Sequence, residues 1–245
     1  MVVWDENPPN MPPPIVVLSL IIINTIVFIY TFIIAPLNGY SPTLIIENLG
    51  LVPLDILTGH KLYTILTSMF LHASLTHILG NMLYLYVFGD NVEAALGRKN
   101  FIILYFASGI GATIFHLTSN VIISPGAALN SLASTGVTPW EIPAVGASGA
   151  ISGVLAAYLL LFPTAEIKMV TFIGWLPVFL RLPASVYILI WFIFQLVYAI
   201  VTLGLGVSAG IAFWAHIGGF ISGLALTPRL VNKDRLRYLY LRFIY

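Results

Sequence analysis

The sequence predicts an all-α membrane protein, a bundle of six transmembrane helices. Three observations carry that prediction. Of 245 residues, 59% are hydrophobic, and the mean hydropathy is +0.99. Only 8% are charged, against about 25% in an ordinary soluble domain; 10 basic and 9 acidic side chains cannot cover a water-facing surface at this size, which excludes a soluble globular enzyme. Uncharged runs recur at 15–34, 75–89, 101–118, 146–162, 185–205 and 211–227. At about 1.5 Å per residue each crosses most or all of a ~30 Å hydrocarbon core. No two-residue alternation suggests a barrel, and lipid admits only helices or closed barrels. The chain divides into a proline-rich lead (1–14), the membrane domain (15–228) and a basic tail (229–245).

Taken in order, the run from Ile15 to Ile34 follows Asp5, Glu6 and the prolines from Pro8 to Pro14 rather than a basic segment, so it reads as a retained helix and not a cleaved signal peptide. Residues 35–74 contain Pro36, Pro42 and Pro53 and the apolar stretch Tyr63–Leu71. So long a connection predicts short interfacial helices lying partly in the outer leaflet. The second run ends at Asp90 and Glu93, which read as loop anchors. The third carries His116 near its outer end, without an assigned role. Between the fourth and fifth runs, residues 169–183 are apolar but interrupted by Pro177 and Pro183, which suggests a re-entrant or interfacial piece. Gly219 and Gly223 on the sixth run let it approach the fourth closely.

Six spans put nine of the ten basic residues on one side: Arg98, Lys99, Lys168, Arg181, Arg229, Lys233, Arg235, Arg237 and Arg242, with Lys61 alone opposite. By the positive-inside tendency both termini are cytoplasmic. A net charge of +1 argues against nucleic acid as a partner. The absence of cysteine excludes disulfides and thiol nucleophiles.

Polar side chains are expensive inside a membrane and mark function. His77 and Asn81 lie one helical turn apart on the second span. Ser148 sits among Gly146, Ala147 and Gly149 at the start of the fourth, and His216 stands near the start of the sixth. These three spans enter from the outer side, so Ser148, His77 and His216 sit within roughly 10 Å of one boundary. The set suits acyl transfer. Ser148 is a weak nucleophile until a base, His216, takes its proton. His77, Asn81 and the Ser148 backbone N–H can face an oxyanion. No Asp or Glu falls within these half-helices, so a Ser–His dyad is predicted.

Gly-x-Ser-Gly opening one helix, His-x-x-x-Asn on an earlier one and Ala215-His216-Ile217-Gly218-Gly219 on the last resemble the rhomboid intramembrane serine proteases. The likeness runs from about Leu66 to Pro228 and includes Phe70-Leu71-His72 and Glu93-Ala94-Ala95-Leu96-Gly97. It implies a six-helix rhomboid-like bundle whose outer loop, between helices one and two, dips into the leaflet. It also implies a serine endopeptidase with Ser148 as nucleophile, His216 as base and His77 with Asn81 at the oxyanion. The implied substrates are transmembrane proteins, entering laterally beside span five; no metal or organic cofactor is implied. Two departures stand out. Tyr63-Thr64 replaces a Trp-Arg pair common before the first outer-loop histidine. Ser152 occupies the position where some members stack an aromatic ring beneath the base, which leaves Trp214 or Tyr158 to support His216.

Other chemistries fit less well. No histidine is followed by glutamate, so the His-Glu-x-x-His of a metalloprotease is missing. Asp90 alone cannot make an aspartyl pair. A non-catalytic scaffold of rhomboid-like fold is the runner-up, and a transporter, which wants a midplane site in broken helices, ranks third. A frame without a large extra domain suits a prokaryotic plasma membrane.

Overall fold

The structure is a computed structural model that describes residues 2–5, 11–122, 132, 136, 138–173, 175–205 and 212–244. Helix α1 spans Ile15–Leu37 and contains one π-helical stretch, Tyr30–Ile34. Its first backbone N–H groups, which have no intrahelical acceptor, donate to the Glu93 carboxylate from Val16 (3.1 Å) and Val17 (2.9 Å). A carboxylate at the positive end of the helix dipole is favourable, and Glu93 is thereby the anchor expected of it.

Short helices follow, as predicted for residues 35–74: α2 Pro42–Leu49, α3 Pro53–Leu57 and α4 Thr64–Thr67. Proline opens α2 and α3, where its missing N–H costs nothing, and Ser41 caps α2 by accepting from the Thr43 N–H. Helix α5 (Leu75–Leu96) starts at Ser74, whose hydroxyl accepts from the His77 N–H, and stops at Gly97 with φ +78°. Helices α6 (Arg98–Ile122), α7 (Ser148–Leu161), α8 (Ala184–Leu205), α9 (Phe213–Leu230) and α10 (Lys233–Ile244) follow among the described residues.

The protein is mostly helical. Three helical stretches, Ile15–Leu37, Arg98–Ile122 and Ala184–Thr202, are long and apolar enough to cross a membrane, and α7 is a shorter apolar helix. Helix α7 forms the axis of the bundle. Every residue from Gly149 to Tyr158 is buried, against α5, α6 and α9. The contact with α9 is backbone to backbone: a Cβ at Gly219 would collide with the Gly149 carbonyl, and one at Gly223 with that of Gly153. This is the close approach expected from the glycine spacing. Phe88, Phe101, Leu104, Tyr105 and Tyr158 fill the core toward the opposite end of α7 from Ser148.

The structure corrects one expectation. Residues 169–173 and 176–183 lie in two paired strands rather than in a re-entrant piece. Strands β2 (Glu166–Ile173) and β3 (Leu176–Pro183) pair antiparallel with Lys168 opposite Arg181, and β1 (Val2–Asp5) pairs on the other side of β2, giving the order β1-β2-β3. The all-α reading therefore misses a small sheet. The reason is positional: Pro177 and Pro183 both lie on β3, an edge strand, where a residue without an N–H is tolerated. Asp5 ties the sheet to the bundle, its carboxylate accepting from Asn91 Nδ2 and from the Tyr158 hydroxyl, each at 2.6 Å.

Candidate active site

The N-terminal turns of α5, α7 and α9 come together at the end of the bundle away from the sheet. Ser148 is the first helical residue of α7, after Ala147. Its placement depends on Gly146, which has φ +128°, a conformation open to glycine and strained for any other residue. The Gly146 N–H donates to the Ser68 carbonyl at 2.9 Å, and the preceding segment is pinned by paired backbone bonds between Leu51 and Ala144 (2.9 and 2.8 Å). Thus the connection between α1 and α5 holds the entry to α7.

His216, in the first turn of α9, brings its Nε2 to 2.8 Å from the Ser148 hydroxyl. This is the contact expected from the sequence, and Gly149 and Gly219 make it possible by letting the two backbones touch. The other ring nitrogen, Nδ1, lies 2.8 Å from Oε1 of Gln195 on α8. An amide oxygen only accepts, so Nδ1 carries the proton and Nε2 is left to accept from the serine hydroxyl. Trp191, one turn earlier on α8, sits with its ring centroid 6.0 Å from that of His216.

His77 stands beside this pair. An added Cβ on Gly146 would lie 2.8 Å from His77 Nε2 and 3.6 Å from the Ser148 hydroxyl oxygen, so all three groups share one small space. The Ala73 N–H donates to His77 Nδ1 at 3.5 Å, which leaves Nε2 as the ring's N–H donor. Asn81 is buried, and one of its amide N–H groups donates to the His77 carbonyl at 3.0 Å on its own helix. His72, at the lip of α5, is buried edge-on to His77 with ring centroids 5.0 Å apart. Behind Ser148 a cavity of about 50 Å³ is lined by Ser68, Met69, Thr113, His116, Gly146 and Gly149 among others. His116 thus faces the site from α6. His60, in the connection between α1 and α5, bonds Thr58.

Of the two supports expected for His216, Tyr158 is bonded to Asp5 near the other end of α7 and Trp214 packs against Ala199, Phe213 and Ile217; the imidazole itself is flanked by Gln195 and Trp191. Gln195 has no motif neighbour in the sequence to mark it, as His77 marks Asn81 four residues on. It is the one amide in the run Ala184–Thr202, and a strong hydrogen-bonding side chain in such a run is itself a signal. Ser152, where an aromatic residue was noted as lacking, donates to the Ser148 carbonyl at 2.7 Å.

Chemically, a serine hydroxyl bonded to a neutral, oriented imidazole beside a second imidazole N–H and a helix N-terminus can perform nucleophilic acyl transfer. Residues 59–233 match the family described as the Rhomboid domain. The chain is 27% identical over 223 residues to RHOMBOID-like protein 12, mitochondrial, of Arabidopsis thaliana, covering 91% of this chain and 60% of that protein. It is 30% identical over 173 residues to Rhomboid-like protein 16, chloroplastic, of the same plant, covering 69% of this chain and 48% of the relative. It is 35% identical over 142 residues to Rhomboid protease AarA of Providencia stuartii, covering 57% and 48%. The chain thus spans roughly half to three-fifths of the length of these relatives. Two of them are organellar by name and one is bacterial, so they lend no support to the prokaryotic plasma membrane that the sequence suggested.

Proposed function

Because this chain belongs to the rhomboid family, we propose that it is an intramembrane serine endopeptidase that cleaves transmembrane-helix substrates near the outer leaflet through a Ser148–His216 dyad. The observation that carries this reading is the 2.8 Å contact between the Ser148 hydroxyl and His216 Nε2. His216 takes the hydroxyl proton as the oxygen attacks the scissile carbonyl. The tetrahedral oxyanion is met by His77 Nε2–H and by the N–H groups of the first turn of α7, which lack intrahelical acceptors. His216 then gives its proton to the leaving amine, and a water admitted from the outer side hydrolyses the acyl-enzyme with His216 again as base. Asn81 contributes its remaining N–H or orients His77 through the carbonyl bond.

Around this centre we propose six spans, α1 and α5 to α9, with the connection carrying α2 to α4 partly embedded in the outer leaflet. Exposed Leu44, Leu54, Leu57 and Leu66 along that connection support the embedding. Helices α5 and α9 fall short of a simple apolar span because they carry the site and its anchors: His77, Asn81, Asp90 and Glu93 on one, His216, Pro228 and Arg229 on the other. Odd and even helices alternate in direction, so the termini share one side, the side of the basic residues. The proposed division remains 1–14, 15–228 and 229–245.

The test is covalent labelling of the purified protein with a fluorophosphonate, mapped by intact mass and peptide analysis, beside cleavage of a single-pass transmembrane reporter in liposomes. Ser148→Ala and His216→Ala should each abolish both, with folding intact. Asn81→Ala should weaken cleavage without abolishing it, because other donors remain. Robust cleavage by Ser148→Ala overturns the assignment. A folded wild type that neither labels nor cleaves moves the protein to the non-catalytic scaffold class.

A further inference from the structure

We propose that Gln195, on α8, is a positioning residue for His216 that stands in the place of a triad acid, holding the imidazole in the tautomer and orientation that general-base catalysis at Ser148 requires. The inference rests on the protease reading above. Its ground is an unbroken chain of two bonds, Gln195 Oε1 to His216 Nδ1 at 2.8 Å and His216 Nε2 to the Ser148 hydroxyl at 2.8 Å.

A dyad histidine has two ring nitrogens, and only one assignment of the proton leaves Nε2 able to accept from serine. An acceptor fixed at Nδ1 selects that assignment. Carboxylates commonly serve, but a carboxylate here would add a buried charge in lipid beside His77 and His116, whereas an amide oxygen accepts at no charge. The position of Gln195 also suits the depth of the site: seven residues before Thr202, it lies roughly 10 Å from the outer end of the described apolar stretch. Trp191, four residues earlier on the same face of α8, lies against the same imidazole. Two residues of α8 therefore hold the base, while Ile193, Phe194, Val197 and Ile200 on its other face are exposed. The orientation of the base and the seating of α8 against α9 become one variable.

The plain alternative is that the bond only staples α8 to α9. Gln195→Leu separates the two, since it keeps the side-chain bulk and removes the acceptor. The expected result is a fall in kcat of roughly ten- to a hundredfold with KM and thermal midpoint unchanged, and the same proportional fall in the rate of fluorophosphonate labelling. Wild-type kcat in Gln195→Leu overturns the proposal, as does a loss expressed in KM or in thermal midpoint. A folded wild type that neither labels nor cleaves sinks the protease reading itself, so the two failures are told apart by the wild-type control.

Discussion

Gly146 carries two constraints at once. Its φ of +128° is one that side-chain-bearing residues rarely adopt, and the space where a Cβ would go is occupied by the His77 ring, with Nε2 at 2.8 Å and Cε1 at 3.0 Å. Either the backbone strains or the histidine moves. Gly146→Ala should therefore cost about 1–3 kcal/mol of stability and reduce fluorophosphonate labelling of Ser148 by more than the folded fraction alone explains. Gly80→Ala, on α5 with nothing within 4 Å of the added methyl, serves as the control and should label as wild type. Equal labelling in the two variants would show that His77 and Ser148 do not share the space that the geometry gives them. The His77 ring is met on its Nδ1 side by the Ala73 N–H, in the chain that leads into α5.

At the scale of elements, the Ser148–His216 contact is a consequence of how α7 and α9 pack. Helices whose interface carries ordinary side chains sit 8–10 Å apart; glycines at 149, 153, 219 and 223 let these two backbones touch. Gly219→Val should force the first turns of the helices apart, with about 1–3 kcal/mol of overpacking cost and loss of cleavage. Gly223→Ala, one turn further from the site, should cost stability while sparing more of the activity. Thermal midpoint and reporter cleavage, measured together on both variants, decide it; unimpaired cleavage by Gly219→Val would mean that the dyad does not depend on this interface. The paired strands β2 and β3 carry the complementary lesson. Their prolines interrupt an apolar run yet remain in a strand, because β3 is an edge strand among the described residues.

Across the whole molecule, the two ends do different work. The site occupies one, and the other is a network in which Glu93 caps α1 and Asp5 joins β1 to Asn91 on α5 and Tyr158 on α7. Burial pushes the Asp5 carboxyl up to about 6, against hydrogen bonds that pull it down. A group raised in the folded state contributes stability that is fully present below its unfolded value of 3.8 and is lost as pH rises through about 6. Strand β1 should thus be held more firmly at pH 5 than at pH 7.5. Hydrogen exchange of the Val2–Asp5 amides, corrected for intrinsic rates, should slow at the lower pH in the wild type and not in Asp5→Asn. A wild type without the difference, or a variant that keeps it, would assign the anchoring elsewhere.

Much of this arrangement is local and is therefore written in the order of residues. Apolar length marks the helices from 15, 75, 101, 146, 185 and 211 onward, because lipid demands it of any backbone. Proline and serine mark the starts of α2 and α3, and glycine spacing marks the α7–α9 contact. Ser148, His77 and His216 declare themselves because polar groups in such runs need a reason. What tertiary structure alone decided is which distant groups meet. Nothing in a linear reading places Gln195 on His216, turns Val2–Asp5 into the third strand of a sheet with 166–173 and 176–183, or sends Tyr158 to Asp5 rather than to the base. These depend on the rotation of α8 about its own axis and on the register of β1 against β2, and both are fixed by packing between segments far apart in the chain.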